Sequence, residues 1–155
     1  MTAHNRTILI IEDNPDDVEL TLRAFEQHKI ASIMVVARDG EEALDYLFAK
    51  GAHAGRDTSS LPRVVLLDIG LPVMDGHEVL RRLRMDVRTR LLPVVILTSS
   101  GEERDIVGTY TLGANSYIRK PVDFAQFASV ASQLGVYWLT VNEVLPPLGR
   151  LEDEP

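Results

Sequence analysis

Three short apolar runs punctuate the chain: Ile8-Leu9-Ile10-Ile11, Val64-Val65-Leu66-Leu67 and Val94-Val95-Ile96-Leu97. None alternates with polar residues. Unbroken β-branched runs of this length predict strands buried on both faces, as in a parallel sheet covered by helices. Pro93 sits at the first position of the third run, where a strand tolerates a missing N–H. Two weaker runs, Ile33–Ala37 and Ser116–Arg119, predict two more strands.

Between the runs the period becomes helical. Val18, Leu22 and Phe25 share one face, behind an Asn14-Pro15 helix start. The pairs Ala43/Leu47 and Leu44/Phe48 follow Asp39 as a cap, and Val79, Leu80 and Leu83 follow Asp75-Gly76. Ile106, Val107 and Tyr110 form a fourth stripe closed by Gly113, and Phe127, Val130, Ala131 and Leu134 a fifth. Strand then helix, five times over, predicts an α/β fold: a doubly wound, five-stranded parallel sheet with five flanking helices. Gly51–Pro62, rich in small and polar residues, reads as a long surface loop. Periodicity fades after about Leu139, before Pro146-Pro147 and the acidic end LEDEP. The expected organisation is a tail over 1–6, one domain over 7–140, and an extension over 141–155 without an output domain.

Composition narrows the picture. The chain has 155 residues, 45% hydrophobic and 25% charged, enough for one core. A net charge of −7 is the wrong sign for duplex nucleic acid, so no nucleic-acid partner is expected. The absence of cysteine removes disulfides, thiolate nucleophiles and zinc-thiolate sites and suits a cytoplasmic location. No run approaches the roughly 20 apolar residues that span a bilayer, and the N-terminus lacks a signal-peptide core, so no membrane partner is expected.

Ligands of an open α/β sheet bind beyond the carboxyl ends of its strands. The first strand ends in Glu12-Asp13, the third in Asp68, the fourth in Thr98-Ser99-Ser100 and the fifth in Lys120-Pro121. Three crowded acids repel one another, and a hard divalent cation such as Mg²⁺ relieves that repulsion through oxygen ligands. A carboxylate can act as a nucleophile towards phosphorus, while a hydroxyl and an ammonium stabilise charge on a transferring phosphoryl group. Asp68, ending the middle run, is the natural nucleophile. Taken singly, an acid after an apolar strand is often only a helix cap, and Asp13 and Asp16 can be read so. Four strand ends supplying one coherent chemistry argue otherwise.

At this point the sequence resembles the response-regulator receiver domains of two-component signalling. The matching segments are IIEDNPDD, VVLLDIGLPVMDG, VVILTSS and SYIRKP, with Thr98 30 residues and Lys120 52 residues beyond Asp68. The resemblance spans Thr7 to Leu139. It implies the flavodoxin-like strand order 2-1-3-4-5. It implies Asp68 as the phosphorylated aspartate, and Glu12, Asp13, Asp68 and the Gly70 backbone carbonyl as Mg²⁺ ligands. Thr98 and Lys120 would bind phosphoryl oxygens, beside a small Ser99 in the phosphate loop. Thr98 and Tyr117 would act as the switch pair, and Pro121 would follow a cis peptide. The donor would be a sensor histidine kinase. A narrower resemblance, carried by DNPDDVELTLRAF, the Gly51–Pro62 loop and the ending from Trp138 to Glu143, points to the small single-domain regulators paired with bacterial phytochromes.

Other readings stand beside these. Tyr117 could be a strand aromatic packing on the fourth helix. His4, His28, His53 and His77 show no metal spacing and read as surface residues. Ser99-Ser100-Gly101 could be a nucleophile motif, but no base accompanies it, so it reads as a loop offering N–H groups and a helix N-terminus to phosphate. Tyr137-Trp138-Leu139 falls where the domain is nearly complete, which suggests a partner surface. The expectation is a homodimer through the fourth helix, fifth strand and fifth helix. The leading function is a phosphoacceptor that hydrolyses only its own acyl phosphate and is not a turnover enzyme. Alternatives are a phosphorelay intermediate serving a histidine phosphotransfer protein, and an Mg²⁺-dependent phosphohydrolase. The latter usually needs a second acid two residues past the nucleophile, where Gly70 stands. A nucleotide-binding flavodoxin-like protein is disfavoured, because no Gly-rich loop follows the first strand.

Overall fold

The structure is a computed structural model and describes residues 6–29 and 31–146. Five strands, β1 (Thr7–Ile11), β2 (Ile33–Ala37), β3 (Val64–Leu67), β4 (Val94–Thr98) and β5 (Ser116–Arg119), form one parallel sheet in the order β2-β1-β3-β4-β5. Alternation along the three central strands divides the core in two. Leu9, Ile11, Val65, Leu67, Val94 and Ile96 face α2 (Gly40–Phe48) and α3 (Gly76–Met85). Ile8, Ile10, Val64, Leu66, Val95 and Leu97 face α1 (Pro15–Gln27) and α5 (Phe124–Val136). Burial on both sides is why these runs carry no polar residue. α4 (Glu103–Thr111) lies beside β5.

The helix starts are written in short polar side chains. Asn14 accepts from the N–H groups of Asp16 and Asp17, with Pro15 at the first helical position. Asp39, Asp75 and Asp123 cap α2, α3 and α5 in the same manner. Gly113, at φ 102°, ends α4: its N–H donates to Tyr110 O and that of Ala114 to Thr109 O, the paired bonds of a left-handed C-terminal cap.

Two expectations change. In α4 the inward residue is Thr109, whose hydroxyl donates to the carbonyls of Asp105 and Ile106, while Val107 and Tyr110 are 57% and 48% exposed. The apolar stripe is real, but much of it faces solvent. At the other end, Tyr137–Val141 continues α5 as a π-helical turn that buries Leu139, and Arg6 and Arg63 donate to the Leu139 carbonyl at 3.4 and 3.2 Å. Leu139 therefore belongs to the core, although the fading period suggested otherwise. The Gly51–Pro62 loop is a surface segment pinned by Arg56, which donates to Tyr46 O and Ser60 O at 2.6 Å and stacks over the Tyr46 ring. His4 and the LEDEP end lie outside the described residues.

Candidate functional site

The carboxyl ends of β1, β3 and β4 open into a cleft of about 770 Å³ whose lining includes Glu12, Asp13, Asp17, Asp68, Thr98 and Ser99. β1 and β3 are paired in register, Ile11 beside Leu67, so Glu12-Asp13 and Asp68 emerge side by side. β4 pairs with β3 and with β5, bringing Thr98 and then Lys120 to the same edge.

Asp68 is held from several directions. The Thr98 hydroxyl donates to its Oδ1 at 2.9 Å and the Gly70 N–H to the same oxygen at 3.1 Å. Lys120 Nζ reaches Oδ2 at 3.4 Å. Lys120 is nearly buried and also donates to Glu12 and, at 3.0 Å, to Asp17. Burial alone would raise the Asp68 pKa, but the Gly70 N–H, the Lys120 charge and the Glu12 and Thr98 contacts outweigh it and hold Asp68 below its usual range. Burial would likewise lower Lys120, yet its bond to Glu12 and the charges of Asp68 and Glu12 raise it. Glu12, 4% exposed, is pushed up to about 7, chiefly by burial and then by Asp68, which together exceed the pull of Lys120. One ammonium shared by several acids cannot keep them all easily ionised.

Glu12, Asp13 and Asp68 can each offer an oxygen such that all three lie within 4.8 Å of one another. An all-oxygen anionic set of that size fits a hard divalent ion such as Mg²⁺. Asn14 performs the capping of α1, which leaves the Asp13 carboxylate free of that duty. Ser99 is exposed and lines the cleft. The Tyr117 hydroxyl donates to Ser100 O at 2.9 Å, tying β5 to the β4–α4 loop, and burial raises its pKa.

The cis bond expected before Pro121 is not found: every peptide bond among the described residues is trans. Trans is the lower-energy isomer even before proline, by about 0.5–1 kcal/mol, and here Lys120 reaches its acids with the bond trans. His77 is also more than a surface residue. Its Nε2 lies 3.6 Å from Asp105 Oδ1 and its Nδ1 3.9 Å from Asp75 Oδ1, on the rim of the cleft. Asp105 in turn accepts from the Ser100 hydroxyl at 2.6 Å. Asp17, His77 and Asp105 escaped the sequence reading as site residues. Position directly after Asp75-Gly76 was the one available signal for His77.

Residues 8–132 match the response regulator receiver domain. The chain belongs to this family. The receiver is a signalling module, and receivers bind Mg²⁺ at an acidic pocket like the one formed here. Among curated relatives, the probable methanogenesis regulatory protein FilR2 of Methanothrix harundinacea is 42% identical over 87% of this chain and 84% of its own length. Response regulator Rcp1 of Synechocystis is 30% identical over 86% of this chain and 89% of its own. The Mn²⁺-bound crystal structure of Rcp1 superposes with a TM-score of 0.82 at 28% identity, over 91% of this chain and 99% of that one. The phosphorylated cyanobacterial phytochrome response regulator RcpA gives a TM-score of 0.84 at 32% identity, covering 92% of this receiver and 99% of RcpA. The receiver thus resembles single-domain regulators along nearly their whole length. Among its described residues no helix is long and apolar enough to cross a membrane.

Proposed function

We propose that this receiver is a single-domain response regulator that takes a phosphoryl group on Asp68 from the phosphohistidine of a sensor kinase, in the cytoplasm. The observation that carries the reading is the unequal treatment of the two Asp68 oxygens. Oδ1 accepts two close bonds, from Thr98 at 2.9 Å and Gly70 at 3.1 Å, whereas Oδ2 accepts a longer one from Lys120 at 3.4 Å. Oδ2 is the less encumbered electron pair and the nucleophile in this account. Its attack forms an O–P bond as the donor P–N bond breaks, and that electron pair leaves with the histidine nitrogen. Glu12, Asp13, Asp68 and the Gly70 carbonyl would hold Mg²⁺, which supplies charge neutralisation for the phosphoryl oxygens. Lys120 and the Thr98 hydroxyl stabilise the same oxygens, and Ser99, being small, leaves room for them. Hydrolysis of the acyl phosphate at this site resets the protein, which does not turn over other substrates.

The signal leaves through Thr98 and Tyr117. Thr98 touches Asp68, and Tyr117 fastens the loop that follows Thr98, so a change at Asp68 alters the face of α4, β5 and α5. That face exposes Val107, Tyr110, Val136 and Tyr137, which favours a homodimer across it. We assign 1–6 to a tail, 7–140 to the receiver and 141–155 to an extension. Similarity to the phytochrome response regulator RcpA supports a phytochrome-type kinase as donor. Incubation with acetyl phosphate should add one phosphoryl mass in Mg²⁺ and none in EDTA. Metal-independent uptake would contradict the proposal.

A further inference from the structure

Lys120 carries three N–H donors, and each has a carboxylate acceptor: Glu12, Asp17 at 3.0 Å and Asp68 at 3.4 Å. The three acceptors have different other duties. Glu12 and Asp68 belong to the oxygen cluster that fits a divalent cation, and Asp17 does not. Asp17 comes from the first turn of α1, where its own N–H is bound by the Asn14 cap at 3.3 Å. Its backbone is therefore fixed, and its carboxylate, 34% exposed, reaches the cleft wall from the helix.

A metal or a phosphoryl group that engages Glu12 and Asp68 competes with Lys120 for their oxygens. Asp17 is the one acceptor of the three that neither event recruits. A lysine ammonium sits on a flexible four-carbon stem, so losing its anchors disperses it over many rotamers. We propose that Asp17 is a positioning residue for Lys120, keeping the ammonium at the mouth of the site when Glu12 and Asp68 are engaged. The remaining Lys120 hydrogens then face the incoming phosphoryl oxygens without a search. The inference rests on the reading of Asp68 as phosphoacceptor and assigns the carboxylate that readies its cationic neighbour.

The test uses the full chain, as wild type, Asp17→Ala, Asp17→Asn and Asp16→Ala, with acetyl phosphate as donor at saturating Mg²⁺. The initial rate of phosphoryl uptake is followed by intact mass across donor concentrations. The rise in melting temperature on adding Mg²⁺ reports metal binding separately. Asp17→Ala should lower the maximal rate roughly tenfold, the size of one lost charge-assisted hydrogen bond, with donor half-saturation and the Mg²⁺-induced melting rise unchanged. Asp17→Asn, which keeps an oxygen acceptor and the side-chain shape, should lose only about threefold, and it carries the test if the alanine variant shows no melting transition. Asp16→Ala, one residue away and outside the site, should match wild type. A wild-type rate for Asp17→Ala, or a loss accompanied by a smaller Mg²⁺-induced melting rise, overturns the positioning role alone. A wild type that takes up no phosphoryl group overturns this inference together with the phosphoacceptor reading.

Discussion

Gly76→Ala separates the fold's support of the site from the site's own residues. A Cβ at Gly76 would sit 2.5 Å from Ile69 Cα and 2.6 Å from Asp68 O, where ordinary contact begins at 3.4 Å. Both obstacles are backbone, so no side chain can swing aside. The β3–α3 loop must open by about 0.8–0.9 Å, against the Gly76 N–H bond to Ile69 O at 3.0 Å. Forcing one methyl into a packed site costs about 1–3 kcal/mol. For a chain of this length that lowers the melting temperature by about 2–4 °C per kcal/mol, hence roughly 4–8 °C at the middle of that range. The displaced backbone carries Asp68, and a misplacement of about 1 Å costs on the order of 100-fold in rate. Thermal melting and the initial rate of phosphorylation by acetyl phosphate measure both effects on one preparation. Gly108→Ala is the control: its Cβ meets only the His77 ring, at 3.6 Å, and better helix propensity should leave stability equal or higher. If Gly76→Ala melts and reacts like wild type, the close approach of α3 to the Asp68 carbonyl does not constrain the site.

Three further outcomes follow from the same geometry. Glu12 titrates near 7 in the fold against a usual value of 4.5, so the folded chain keeps a proton that the unfolded chain has lost in that window. Its contribution to stability is complete below about 4.5 and is lost as pH rises through about 7, so metal-free melting temperature should gain a downward slope there that Mg²⁺ or Glu12→Gln removes. A slope that survives Glu12→Gln would refute the assignment. Leu139→Ala should cost about 3 kcal/mol and roughly 6–12 °C, because the side chain is core although it follows α5; urea titration checks this, and a loss under 1 kcal/mol would return the segment to the surface. Val73 holds φ 65° at the exposed tip of the β3–α3 loop, a region that strains a β-branched residue, so Val73→Gly should raise stability by about 1 kcal/mol, and a lower melting temperature would contradict that strain.

The sheet was legible because its three central strands are buried on both faces. That condition forces unbroken runs such as Val64–Leu67, and the turn chemistry of Asn14-Pro15 and Asp39 marks where helices begin. Asp68 and Glu12 could be placed for the same reason, since each stands at the end of such a run, whereas Lys120 follows the weaker run Ser116–Arg119 and was placed by the SYIRKP motif. What escaped depends on side chains meeting across elements. Asp17 sits where acids ordinarily complement a helix dipole, so nothing local separates that role from a reach across to Lys120 on another strand's end. His77 likewise gains a cross-element partner in Asp105 on α4. The stripe Ile106, Val107 and Tyr110 has helical spacing whether it meets a core or a partner, and periodicity cannot separate the two. Leu139 was obscured because a π-turn breaks the 3.6-residue period that would have marked it as buried.

The account turns on Asp68. Intact mass spectrometry after incubation with acetyl phosphate and Mg²⁺, on wild type and Asp68→Asn with matched melting curves, tests it most directly. The account predicts that wild type gains one phosphoryl group and Asp68→Asn gains none while remaining folded. Equal gain by both, or no gain by a folded wild type, would contradict it.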